Sequence, residues 1–107
     1  DAAMADVAVT NNPEKHRFEA VVEGHLAIAE YNLIRGGIVF THTEVPQELE
    51  GRGIGSALIR AGLAHARENG LKVTPICPFF AAYMKKHAET QDLLAPSFRS
   101  ALGLPPE

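Results

Sequence analysis

A single cysteine, Cys77, excludes an intramolecular disulfide and a cysteine-rich zinc site in this 107-residue sequence. Charges interrupt every apolar stretch, so no run is long enough to span a bilayer, and no signal-peptide pattern is present. No membrane partner and a reducing, cytoplasmic setting are the expectation. Lysine and arginine total 10 and form no cluster, and the formal net charge is -3. That argues against a dedicated nucleic-acid surface. The acidity is too slight to choose among other partners. His16, His25 and His65 lack a partner at metal-ligand spacing, and His42 with Glu44 does not make a zinc site, so no metal is expected. Internal repeats and low-complexity tracts are absent.

Hydrophobic residues are 46% and charged residues 21%, the balance of a folded chain with a core. The length suits one domain over 1–107, with a core over about 7–95 and a loose tail over 96–107. Val7–Thr10 reads as a short strand ended by Asn11-Asn12-Pro13. Phe18–Glu23 and Leu26–Leu33 alternate as strands across a Glu23-Gly24-His25 turn. Gly36-Gly37 makes the next turn. Ile38–Val45 is β-branched and aromatic, hence a fourth strand, stopped by Pro46.

Ile54, Ala57, Leu58, Ala61 and Ala64 then recur at helical spacing, and Asn69-Gly70 ends that helix. Ala61-Gly62 permits close packing on the sheet. Leu71–Ile76 is a fifth strand. Pro78 suits the first turn of a second helix, running to about His87. Gln91–Ala95 reads as a turn of helix. The order predicts a mixed α/β (α+β) sheet: an antiparallel meander of four strands, a crossover helix, a parallel strand, a helix.

Gly51-Arg52-Gly53-Ile54-Gly55-Ser56 joins the fourth strand to the first helix. Its three glycines let the backbone approach a ligand, and the helix adds its positive N-terminal end, a combination suited to a phosphate or diphosphate. The other reading is a flexible turn. The loop lacks the Lys-Ser/Thr of a Walker P-loop, and Ser56 stands where a dinucleotide fingerprint needs its third glycine. Ligands in open sheets bind beyond the carboxyl ends of parallel strands. That rule brings this loop and Cys77 to one edge. Cys77-Pro78 places the thiol near a helix N-terminus, where a thiolate is stabilised. A small buried core residue is the alternative. His42 and Glu44 share a strand face, as a catalytic base or as a solvated polar stripe. Tyr83 and His87, at i and i+4, share a helix face.

The strand, loop and helix resemble the acetyl-CoA-binding motif of the GNAT N-acetyltransferase superfamily, Gln/Arg-x-x-Gly-x-Gly/Ala. Gly53 and Gly55 match its small positions, while Glu50 stands where Gln or Arg is usual. The chain is similar to a short subfamily through His42-Thr43-Glu44-Val45-Pro46, Leu49-x-Gly51-x-Gly53-Ile54, Pro75-x-Cys77-Pro78-Phe79 and Tyr83-x-x-x-His87. The likeness runs from about Asn12 to Leu94. It implies a minimal GNAT fold with acetyl-CoA as cosubstrate, bound in the splay between the fourth and fifth strands. Amides of Gly53, Ile54, Gly55 and Ser56 would hold the diphosphate, with Arg52 adding charge and Val45 offering backbone to pantetheine. Transfer would go to an amine of unassigned identity. His42 or Glu44 would be the base, Tyr83 the acid on the departing sulfur, and Cys77 would lie beside the thioester, as nucleophile or as packing. A catalytically silent CoA-binding module and a plain interaction domain are the alternatives.

Overall fold

The computed structural model describes residues 7–107. Five strands lie in the order β1-β2-β3-β4-β5. They are β1 (Thr10–Asn12), β2 (Arg17–Val22), β3 (His25–Ile34), β4 (Gly37–Glu44) and β5 (Lys72–Pro75). The first four pair antiparallel and β5 pairs parallel to β4. The crossover between β4 and β5 is helix α1 (Ile54–Glu68), and α2 (Pro78–Lys86) follows β5. The expected meander, crossover helix, parallel strand and helix are all present.

Two ends differ from expectation. The first strand lies later than Val7–Thr10, because the reversal is tight. Asn12 Oδ1 accepts from Lys15 N at 3.2 Å and His16 closes a short 3-10 turn at φ 53°. Pairing therefore runs up to Asn12, while Val7 and Val9 pack against the core. The supposed loose tail holds a helix, α3 (Pro96–Ala101). Leu102 and Leu104 pack against the core beyond it. Arg99 donates to the Gln91 and Pro105 carbonyls, each at 2.8 Å, and Ala95 N to Val73 O at 2.8 Å. Proline at its first turn and apolar side chains behind it set this end in place.

One face of the sheet carries the core. Ala27, Ala29, Ile38, Phe40 and Val73 are fully buried under Leu58, Phe80 and Met84 of the helices. The other face bears an exposed cross-strand pair, Val21 and Leu26. The helix α1 presents Ile54, Ala57, Leu58, Ile59, Gly62, Leu63 and Ala66 inward, the one-sided stripe of an amphipathic helix. Phe40 and Phe80 stack at 4.0 Å between centroids, with 9° between planes. They join β4 and α2 at a point where α1 must come close. A Cβ at Gly62 would sit 2.8 Å from two ring atoms of Phe40 and 3.3 Å from Phe80. The ring cannot retreat, because Phe80 backs it. Gly62→Ala should therefore destabilise by about 1–3 kcal/mol of overpacking, less the ~1 kcal/mol that alanine gains over glycine in a helix. Urea unfolding checks the sign, and a stabilised variant would refute the close approach.

A bulge in β4 prepares the site. Glu30 pairs with His42 and Tyr31 with Phe40, leaving Thr41 without a partner. One extra residue reverses the side-chain phase of a strand. Phe40 points into the core, and after the bulge so does Thr43, which is buried. His42 and Glu44 turn away from the core and are exposed.

Candidate active site

The register between β4 and β5 ends at Phe40 and Pro75. Cys77 N still donates to Phe40 O at 2.9 Å. Beyond that bond the chains part. Among the described residues no main-chain bond joins Thr41–Glu44 to the chain after Pro75. The β4 backbone is thus open on one side along its last turn of sequence. Such a fork at the carboxyl ends of parallel strands is where open sheets bind ligands.

The glycine loop stands at the mouth of the fork. A 3-10 turn, Gln47–Leu49, leads into it, and buried Leu49 anchors that turn in the core. Gly51 and Gly53 have φ of 78° and 75°, a left-handed geometry that suits glycine. Gly53 is the N-cap of α1 and offers no side-chain cap. After Glu50 N bonds Gln47 O, the next loop amide with an acceptor is Ala57, on Gly53 O at 3.0 Å. Among the described residues the six amides from Gly51 to Ser56 donate to no protein group. They sit at the positive end of a 15-residue helix, an arrangement that attracts an anion.

Between the loop, the end of β4 and α2 runs a cleft of about 690 Å³. Thr43, Glu44 and Val45 form its β4 wall; Leu49, Glu50, Gly51, Gly53, Ile54, Gly55, Ser56 and Ile59 form the loop wall; Phe79, Ala82, Tyr83, Lys86 and His87 form the α2 wall. The volume and mostly apolar lining suit a small-molecule cosubstrate. Tyr83 and His87 stack at 4.0 Å between ring centroids, and His87 Nδ1 lies 3.5 Å from Glu89. Helical spacing alone brings these two rings together.

The model of the GCN5-related N-acetyl-transferase family matches residues 17–93. The chain belongs to this family. No curated protein matches it in sequence. It is similar to the NMR solution structure of a "GCN5-like putative N-acetyltransferase" from Staphylococcus aureus. The two are 29% identical, the match covers 85% of this chain and 90% of the other, and the TM-score is 0.67. The match includes β2 to α2, so the fork, the loop and all three cleft walls lie within it. This GCN5-related chain is accordingly an acyltransferase of the N-acetyltransferase type.

The predicted site residues of this family member divide into two groups. Val45, Gly53, Ile54, Gly55 and Ser56 line the cleft, as do Glu44 and Tyr83. Arg52, His42 and Cys77 are not in its lining. Arg52 pairs instead with Glu23 across to the β2–β3 turn, at 3.0 Å. That hydrogen bond holds the Glu23 carboxyl below its ordinary range and raises the guanidinium. His42 Nε2 sits 3.1 Å from Glu44 Oε2, both side chains more than half exposed. Cys77 is the N-cap of α2, as the Cys-Pro order predicts, but its side chain is buried at 1% exposure. Its Sγ lies 3.2 Å from Thr43 Oγ1, behind the cleft wall.

Sequence reasoning passed over Thr43, Ile59, Ala82 and Lys86. Thr43 reaches the inner face only through the bulge, which no residue pattern announces. Lys86 had a usable signal. It stands three residues beyond Tyr83, on the same helix face.

Among the described residues no cluster of histidine, cysteine and acidic side chains is arranged to hold a metal, and no helix is long and apolar enough to cross a membrane.

Proposed function

We propose that this chain takes an acetyl group from acetyl-CoA and passes it to an amine. One observation carries the reading: a run of unengaged amides, Gly51 to Ser56, at the mouth of a forked sheet. Backbone donors fixed by a helix need no reorganisation to meet phosphate oxygens. The coenzyme would supply an activated thioester. The amides of Gly53, Ile54, Gly55 and Ser56 hold the diphosphate in this scheme. The open main chain at Val45 offers hydrogen bonds to the pantetheine amides, continuing the sheet where β5 has left it.

The acceptor amine must lose a proton before or as it attacks. Glu44 lines the cleft and contacts His42. In the proposed scheme Glu44, which lines the cleft, takes the proton, and His42 donates from Nε2 to orient that carboxylate. The departing CoA sulfur needs a proton in turn, and the Tyr83 hydroxyl on the α2 wall delivers it. Thr43 belongs to the β4 wall, with Cys77 packed behind it. The acceptor is an amine of a protein or a small molecule.

Tyr83→Phe tests the acid role. It should lower kcat by roughly 100-fold, the low end for a general acid, and leave CoA affinity by calorimetry within about threefold. Incubation of the unsubstituted protein with labelled acetyl-CoA and a panel of amines tests the whole scheme. Label on an amine supports transfer. Tight CoA binding with no label on any acceptor would instead mark a silent coenzyme-binding module.

A further inference from the structure

The proposed donor brings several negative charges into a cleft whose walls already hold two carboxylates, Glu44 and Glu50. Backbone amides alone do not neutralise them. Arg52, the cation nearest in sequence to the loop amides, is diverted to Glu23 and takes no part in the lining. The lysine on the walls is Lys86, at the end of α2, with His87 beside it. Lys86 is exposed, and among the described residues it makes no ion pair or side-chain hydrogen bond. His87 is already engaged with Tyr83 and Glu89.

We infer that Lys86 is the phosphate-binding cation of this cleft, closing over a phosphate group of the coenzyme from the α2 wall. The inference rests on the acetyl-CoA reading above. A lysine suits the task as a compact point charge on a flexible stem, able to reach across an open cleft. Two carboxylates on the walls make the need for it greater, since both repel a phosphate.

Lys85 supplies the control. It is the neighbouring lysine of the same last turn, also exposed but outside the cleft lining. If the lysines serve only the C-terminal end of the helix dipole, the two are equivalent.

Calorimetry of Lys86→Gln and Lys85→Gln with CoA, dephospho-CoA and pantetheine distinguishes the cases. Lys86→Gln should weaken CoA by about tenfold, the size of a lost charge-assisted hydrogen bond, with the deficit shrinking at high salt. Pantetheine, which carries no phosphate, should bind the variant as it binds the parent. Lys85→Gln should bind CoA within about twofold of the parent. A deficit shared by dephospho-CoA assigns Lys86 to the diphosphate, and a deficit confined to CoA assigns it to the 3′-phosphate; either supports the inference. Unchanged CoA affinity in Lys86→Gln overturns it, as does an equal loss for pantetheine or in Lys85→Gln. If the parent itself binds no CoA, the acetyl-CoA reading falls first and this inference falls with it.

Discussion

Gly55→Val is expected to weaken CoA binding by roughly 100-fold, about 2.7 kcal/mol, while melting within a few degrees of the parent. The two halves of that result have separate causes. A Cβ at Gly55 meets only Val45 Cγ2, at 3.7 Å, which is ordinary contact. Gly55 lies in the first turn of α1 and is not left-handed, and valine is a better helix former than glycine. The fold therefore has no reason to object. The side chain would instead project into the cleft and cover the amides from Gly53 to Ser56. A diphosphate cannot then approach the backbone. Gly53→Val is the less clean companion. Its φ of 75° imposes strain of its own, so affinity and stability fall together. Differential scanning fluorimetry with and without CoA reads both quantities at once. Undiminished CoA stabilisation of Gly55→Val would show that the coenzyme does not use these amides.

Phe80→Ala should have the largest effect on stability, about 3–5 kcal/mol. At roughly 4–8 °C per kcal/mol for a chain near this size, Tm falls by about 12 °C or more. Phe80 is fully buried and its ring lies flat on Phe40. It also stands over Gly62 of α1. Removing it opens a cavity where sheet, α1 and α2 meet, and the close helix–sheet approach leaves little room for collapse. Its neighbour Phe79 is 64% exposed on the cleft rim, so Phe79→Ala should cost less than about 1 kcal/mol. Equal losses in the two variants, measured by urea unfolding, would refute this account of the core.

Much of this structure was legible as pattern. The alternation in Phe18–Glu23 and Leu26–Leu33 marked β2 and β3 within a residue or two of their ends. Asn69-Gly70 ends α1 as its chemistry predicts. Asn69 N and Nδ2 both donate to the His65 carbonyl, and Gly70 takes the left-handed φ of 65°. Cys77-Pro78 opens α2 for an equally local reason. The loop amides were legible too, because glycine spacing before a helix is a local statement about which N–H groups lack partners. The chain after Leu94 was not. Pro96–Ala101 has too little apolar periodicity to be seen alone, and it owes its place to Arg99 and to Leu102 packing on the core.

By itself, the sequence determined where the chain turns, which segments are strands or helices, and that a glycine-rich bend precedes the crossover helix. All of these follow from interactions between residues near one another along the chain. Tertiary structure alone decided which side chains enter the cleft. The Thr41 bulge turned Thr43 inward and His42 outward. The β2–β3 turn drew Arg52 away to Glu23, packing against Thr43 enclosed Cys77, and the placing of α2 brought Lys86 to the opposite wall. Each depends on a contact with a distant segment, and such contacts leave no period in the sequence from which to read them.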